Sequence, residues 1–152
     1  IGVFITLDAT FAAEEGGCMA ECGSGSAMAA AAITWLGGGT NDQQMAAASL
    51  ALQNSFGMVC DPIANRVEAP CLGKNVMAAT NALSCTNMAL AGYNHLIPFD
   101  EVVIAMNKVA HQIPRELRCT NLGGLSITPT AHKIAEKLAD KTGCGCGVKA
   151  GR

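Results

Sequence analysis

The chain has 152 residues, half of them apolar, and carries 10 Lys and Arg against 12 Asp and Glu. That length and composition predict one globular domain able to bury a core. The net charge of −2, without a basic tract or aromatic–basic interleaving, argues against nucleic-acid binding, and no apolar stretch approaches the roughly 18–20 residues needed to span a bilayer.

Aromatic residues are scarce, with 1 Trp, 1 Tyr and 4 Phe, so the core must be packed with Ala, Leu, Ile, Val and Met. The sequence opens at Ile1 rather than Met, in the apolar run Ile1-Gly2-Val3-Phe4-Ile5, and reads as a cut through a longer protein. No cationic leader precedes that run, so it is not read as a signal peptide.

Residues 4–13 are expected to be helix or a buried extended segment. Gly16-Gly17-Cys18 reads as a flexible turn presenting a thiol, and Gly23-Ser24-Gly25-Ser26 as a second break. Ser24 or Ser26 is then the expected N-cap of a helix over 27–36, stopped by Gly37-Gly38-Gly39. Thr40 or Asn41 caps the next helix, with Asp42 favourable in its first turn. Met45, Ala48, Leu52 and Phe56 repeat at helical spacing, carrying that helix to about Phe56 before Gly57 ends it.

The stretch Cys60-Asp-Pro-Ile-Ala-Asn-Arg-Val-Glu-Ala-Pro-Cys71 cannot run as a continuous helix. Pro62 and Pro70 each remove a backbone donor and bias the preceding residue towards extended geometry. A helix is expected over 75–91, with Val76, Ala79, Leu83 and Leu90 as core candidates and Gly92 as its stop. Pro98 opens a further helix, with Asp100 and Glu101 in its first turn and Val102, Val103, Met106 and Val109 on one face. Pro114 starts a short turn, Asn121-Leu122-Gly123-Gly124 breaks the chain, and Thr128-Pro129-Thr130 caps a last helix that Gly143 ends. No β alternation of useful length is found. The fold class is all-α: a compact multi-helix domain over 1–143, followed by a Cys/Gly tail over 144–152.

Eight cysteines suit either a disulfide scaffold or a set of reduced thiols. Disulfide scaffolds are small, loop-rich and poor in alanine, whereas this chain is helical and alanine-rich, which favours reduced thiols. Cys18, Cys60 and Cys71 each lie at a glycine- or proline-marked break beside a helix. Cys85 lies mid-helix, where a small buried hydrophobe is the ordinary reading. Cys18/Cys22 and Cys144/Cys146 lack the two-residue gap of a structural zinc site, and His95, His111 and His132 give no local signature of a base for a cysteine nucleophile. From the residues alone, metal binding and inert thiols both stay open.

Three segments resemble a known family: Gly-Gly-Cys18-Met-Ala-Glu-Cys-Gly-Ser, the Cys60–Cys71 stretch, and Leu122-Gly-Gly-Leu-Ser-Ile-Thr-Pro-Thr. They are similar to the C-terminal half of the catalytic domain of the iron–sulfur L-serine dehydratase alpha chain. The resemblance runs from about Ala9 to Thr130, with three motifs in order at matching separations.

The resemblance implies a [4Fe–4S] cluster held by Cys18, Cys60 and Cys71, and conversion of L-serine to pyruvate and ammonia without pyridoxal phosphate. Three thiolates leave one iron open to act as a Lewis acid on the serine hydroxyl. Asp61, Asn65 and Arg66 flank the ligands and are candidate substrate or supporting residues, with loop capping as the alternative. The resemblance further implies a beta chain or beta domain as partner, a homo- or hetero-oligomer, and a place in the bacterial cytoplasm, in serine catabolism and gluconeogenesis. It puts further active-site residues outside this chain, so no general base is assigned and the piece alone is expected to be inactive.

The sequence departs from the family pattern at Asp8, Met19, Asn65-Arg66 and Gly73-Lys74, of which Met19 and Arg66 are expected near enough to alter substrate contacts. Cys144 and Cys146 belong either to a glycine-loosened tail or to one that folds back onto the open iron. Alternative functions are a related β-elimination such as L-cysteine desulfidation, and a non-catalytic helical metal-binding module.

Overall fold

The computed structural model describes residues 1–139, and within them it is helical, with isolated bridges but no strand. Seven α-helices follow one another: α1 (Gly2–Asp8), α2 (Ala13–Cys18), α3 (Ser24–Leu36), α4 (Asn41–Gln53), α5 (Cys71–Leu90), α6 (Phe99–Gln112) and α7 (Pro129–Ala139). A π-helical turn, Met19–Gly23, joins α2 to α3, and short 3₁₀ turns occupy Arg115–Leu117 and Gly124–Ile127. The expected stop at Gly143 and the tail thiols Cys144 and Cys146 lie outside the described residues.

The core has two parts. Around α6, Ile5, Met19, Leu52, Phe99, Val102, Val103 and Met106 form a cluster of large side chains. Between α3, α4 and α5 the packing is almost all small: Ala30, Ala46, Ala47, Ala51, Ala82, Cys85 and Ala89. Side chains that short let the helices approach closely but interlock weakly. Polar groups cross this seam. Asn81 donates to the Ser26 hydroxyl and to the Ala51 carbonyl, both at 2.9 Å. Ser26 in turn donates to the Ala78 carbonyl at 2.8 Å, and Thr86 to the Ala30 carbonyl at 3.1 Å.

The α4 start is as expected: Thr40 and Gln43 form a reciprocal capping box. Four expectations need correction. The segment expected as one element over 4–13 is instead α1 and the start of α2, with a break between them. Ser24 and Ser26 do not cap α3; they lie inside a helical run that continues through the π turn, and Gly23 at the boundary is itself helical. Helix α4 ends at Gln53, and Phe56 beyond it is exposed. Helix α5 starts at Cys71, and its predicted core face is the wrong one. Val76, Ala79, Leu83 and Leu90 are exposed, while Ala82, Cys85, Thr86 and Ala89 are buried. The large apolar residues of α5 carry the helical period, but the neighbouring helices leave room only for the small ones.

Candidate metal centre

Three separate stretches of chain bring Cys18, Cys60 and Cys71 together, all buried, with their sulfur atoms within 4.8 Å of one another. Cys18 ends α2, where Gly17 has φ +69°. A side chain at Gly17 would meet the Met58 carbonyl at 2.6 Å, so only glycine lets the chain pass here. Cys60 lies in the irregular connection between α4 and α5, and Cys71 is the first residue of α5.

Residues 58–61 form the hub that holds these stretches. The Met58 carbonyl accepts from Met19 N–H at 2.9 Å, tying down the Cys18 side. The Val59 carbonyl accepts from Lys74 Nζ at 2.6 Å, tying down the Cys71 side. Cys60 donates its N–H to Leu117 and accepts from Cys119 N–H at 2.8 Å, which fixes the connection after α6. Asp61 is buried; its carboxylate takes Lys74 Nζ at 2.5 Å on one oxygen and Leu125 N–H at 2.8 Å on the other.

Burial pushes the Cys18 thiol up to about 12, against the opposing pull of the Lys74 ammonium and a hydrogen bond from Cys60. Burial also pushes Cys60 up, with hydrogen-bond contacts to Cys119 and Cys18 adding to it. The Lys74 ammonium is strengthened: burial works against it, but the Asp61 hydrogen bond and the thiol groups outweigh burial. Metal binding here would therefore have to displace protons from the thiols.

Cys60 and Cys71 open onto a cavity of about 430 Å³, whose other walls include Glu14, Glu21, Asn65 and Cys119. Of the flanking candidates, Asn65 lines the cavity and pairs with Asn121 across the loop. Asp61 is turned into the ion pair behind the thiols. Arg66 is exposed, faces Glu68 at 4.0 Å and is not among the cavity walls. Met19 is fully buried in the core, where its sulfur accepts from Gly57 N–H. None of His95, His111 and His132 lines the cavity.

Sequence reasoning missed the roles of two residues. Lys74 follows Cys71 by three positions, one helical turn, and that spacing was the available signal. Cys119 lies in the connection after α6, and nothing local in the sequence ties it to Cys60. A second group, Cys18, Glu21 and Cys22, also brings its ligand atoms within 4.8 Å and shares Cys18 with the first. Either group could hold a metal ion, and three thiols make the first the softer donor set.

No helix among the described residues is long and apolar enough to cross a membrane. Residues 1–126 match the family model described as serine dehydratase alpha chain. The chain is 52% identical over 134 residues to the L-serine dehydratase alpha chain of Peptoniphilus asaccharolyticus, covering 88% of this chain and 46% of that one. It is 45% identical to the probable L-serine dehydratase alpha chain of Bacillus subtilis, covering 90% and 46% respectively. L-serine dehydratase 1 of Escherichia coli is 32% identical over 84% of this chain and 28% of its own length. The chain thus spans about half the length, or less, of these three relatives. With most of its residues matched by the family model, the chain belongs to the serine dehydratase alpha chain family.

Proposed function

We propose that residues 1–143 are the cluster-bearing part of an L-serine dehydratase alpha chain, with a [4Fe–4S] cluster on Cys18, Cys60 and Cys71. Acting with the rest of such a chain and a beta partner, it converts L-serine to pyruvate and ammonia without pyridoxal phosphate, in bacterial cytoplasm. One observation carries the reading: three buried thiols from three chain segments, with sulfurs within 4.8 Å, beside an open cavity. Among the described residues no fourth thiol or imidazole joins that set at the same spacing. Three soft donors beside an open cavity suit a cluster with three protein ligands better than a closed four-ligand zinc site.

When bound, the cluster supplies a Lewis-acidic iron that polarises the serine hydroxyl. The chain's own residues do the rest. Glu14 and Glu21 give the cavity wall two carboxylates, suited to the substrate ammonium, and the Asn65 amide can donate to the substrate carboxylate. Asp61 acts from behind, through Lys74, by holding Cys60 and Cys71 in register.

The test is anaerobic reconstitution with iron and sulfide. We expect visible sulfur-to-iron absorbance with about four irons per chain, lost in each of Cys18→Ser, Cys60→Ser and Cys71→Ser. Bound zinc with no cluster would sink the proposal. Pyruvate release from L-serine against L-cysteine, measured on a full-length alpha chain with its beta chain, fixes the substrate.

A further inference from the structure

The cluster reading leaves two cysteines at this centre without work, Cys22 and Cys119, and of these Cys119 is the reachable one. It is partly exposed, whereas Cys18, Cys22, Cys60 and Cys71 are all buried. It shares the cavity wall with Cys60 and Cys71 and packs against the Cys18–Cys22–Cys60 cluster. Its N–H donates to the Cys60 carbonyl at 2.8 Å, and Cys60 returns the pairing to Leu117, so the two cysteines are held on adjacent, bridged backbones. Cys119 has φ +63°, in the left-handed region that residues with a Cβ rarely adopt. That conformation is kept by the pairing with Cys60 and places a solvent-reachable thiol beside a ligand thiol.

We propose that Cys60 and Cys119 form a reversible disulfide when the metal-free chain meets a peroxide. Hydrogen peroxide reaches Cys119 through the open cavity, and its O–O bond breaks. One oxygen stays on the Cys119 sulfur as a sulfenic acid, and the other leaves as water. The Cys60 sulfur then attacks the Cys119 sulfur, the S–O bond breaks, and the hydroxyl leaves with the Cys60 proton as a second water. Two thiols lose two electrons and two protons in all, and one peroxide becomes two waters.

Cys18 and Cys60 are also close, but Cys18 is fully buried and off the cavity wall, and Cys60 presents far less surface there than the partly exposed Cys119, which is the first point of attack. The disulfide would occupy one of the three donor sulfurs and stop metal loading. It would also keep Cys60 off the path to sulfinic acid, from which thiols do not return it. The chemistry stands on the Cys60–Cys119 geometry alone; only its consequence for loading rests on the cluster reading.

The test is disulfide mapping of the metal-free chain after peroxide, alkylated without reduction. Cleavage before Asp and after Lys and Arg puts Cys60 alone in peptide 42–60 and Cys119 alone in peptide 119–133, while Cys18 and Cys22 share peptide 8–41. We expect most of peptide 42–60 linked to 119–133, and release of both by dithiothreitol with recovery of cobalt(II) binding. In Cys119→Ser the dithiothreitol-recoverable fraction of free Cys60 should fall several-fold. A dominant link between 8–41 and 42–60, or Cys119 ending as sulfinic acid with no link, would overturn the proposal. Wild-type mapping decides the matter even if Cys119→Ser folds poorly. Failed cluster assembly with an intact cross-link would count against the proposed function, and the reverse result against this inference.

Discussion

Lys74, one turn into α5, reaches back to the Asp61 carboxylate at 2.5 Å, and so joins the residue after Cys60 to the helix that begins at Cys71. The pair is mostly buried, with the lysine side chain 18% and the aspartate 6% exposed. Removing one partner leaves an uncompensated buried charge, which costs about 3 kcal/mol. Asp61→Asn and Lys74→Met should each lower the denaturant midpoint and weaken cobalt(II) binding to the metal-free chain. The double variant should lose clearly less than the two single losses added together. Additive losses would show that the two residues act separately.

Gly17→Ala should be among the most damaging small changes. The backbone there is left-handed, and the new methyl would meet the Met58 carbonyl. A non-glycine residue forced into such geometry costs about 1–3 kcal/mol, and the strain falls on the residue next to Cys18. Thermal unfolding and iron loading should both suffer, while Gly25→Ala, which has open space around it, should leave both unchanged.

Stability of the reduced, metal-free chain should fall on the alkaline side. The Cys18 thiol is raised from 9.0 to about 12. Below 9.0 both folded and unfolded chains hold this proton, and the contribution is fully present. Above it the unfolded chain loses the proton first, so stability drops with rising pH until the folded thiol also ionises. Cys60 and Cys22 are raised by burial too and act in the same direction. Urea midpoints at about pH 8 and about pH 10 test the sign; a higher midpoint at the alkaline pH would contradict it.

Leu83→Glu should leave the isolated chain's unfolding free energy within about 0.5 kcal/mol of wild type, because Leu83 is 54% exposed. Ala82→Leu, on the buried face beside it, should cost about 1–3 kcal/mol through overpacking. Chemical denaturation of the two variants compares the faces of α5 directly.

Much of the architecture could be read from the sequence because it was written locally. The cap at Thr40, the Pro98 start of α6 and its buried Val102, Val103 and Met106 all follow from neighbours within one or two turns. The three cysteines drew notice for the same reason, since glycine or proline marks the break beside each. What was not legible depends on distant partners. The Asp61–Lys74 pair spans an irregular loop, and the Cys60–Cys119 pairing spans two helices. The α5 face was misread because hydrophobic periodicity weights Val76, Leu83 and Leu90 over Ala82 and Ala89, and a seam packed mostly with small side chains inverts that weighting.

That seam has a consequence for how the centre is kept in tune. Alanine against alanine makes a nearly smooth bearing, on which one helix could slide along another at little cost. The Asn81 amide, engaged at once with Ser26 on α3 and Ala51 on α4, works as an index pin that selects one notch. Since α5 begins at Cys71 and α3 continues from the turn after Cys18, a slip along the bearing would move one thiol sulfur past the other. The alignment of the thiols is thus set ten residues along α5 from Cys71, at a side chain that touches neither sulfur.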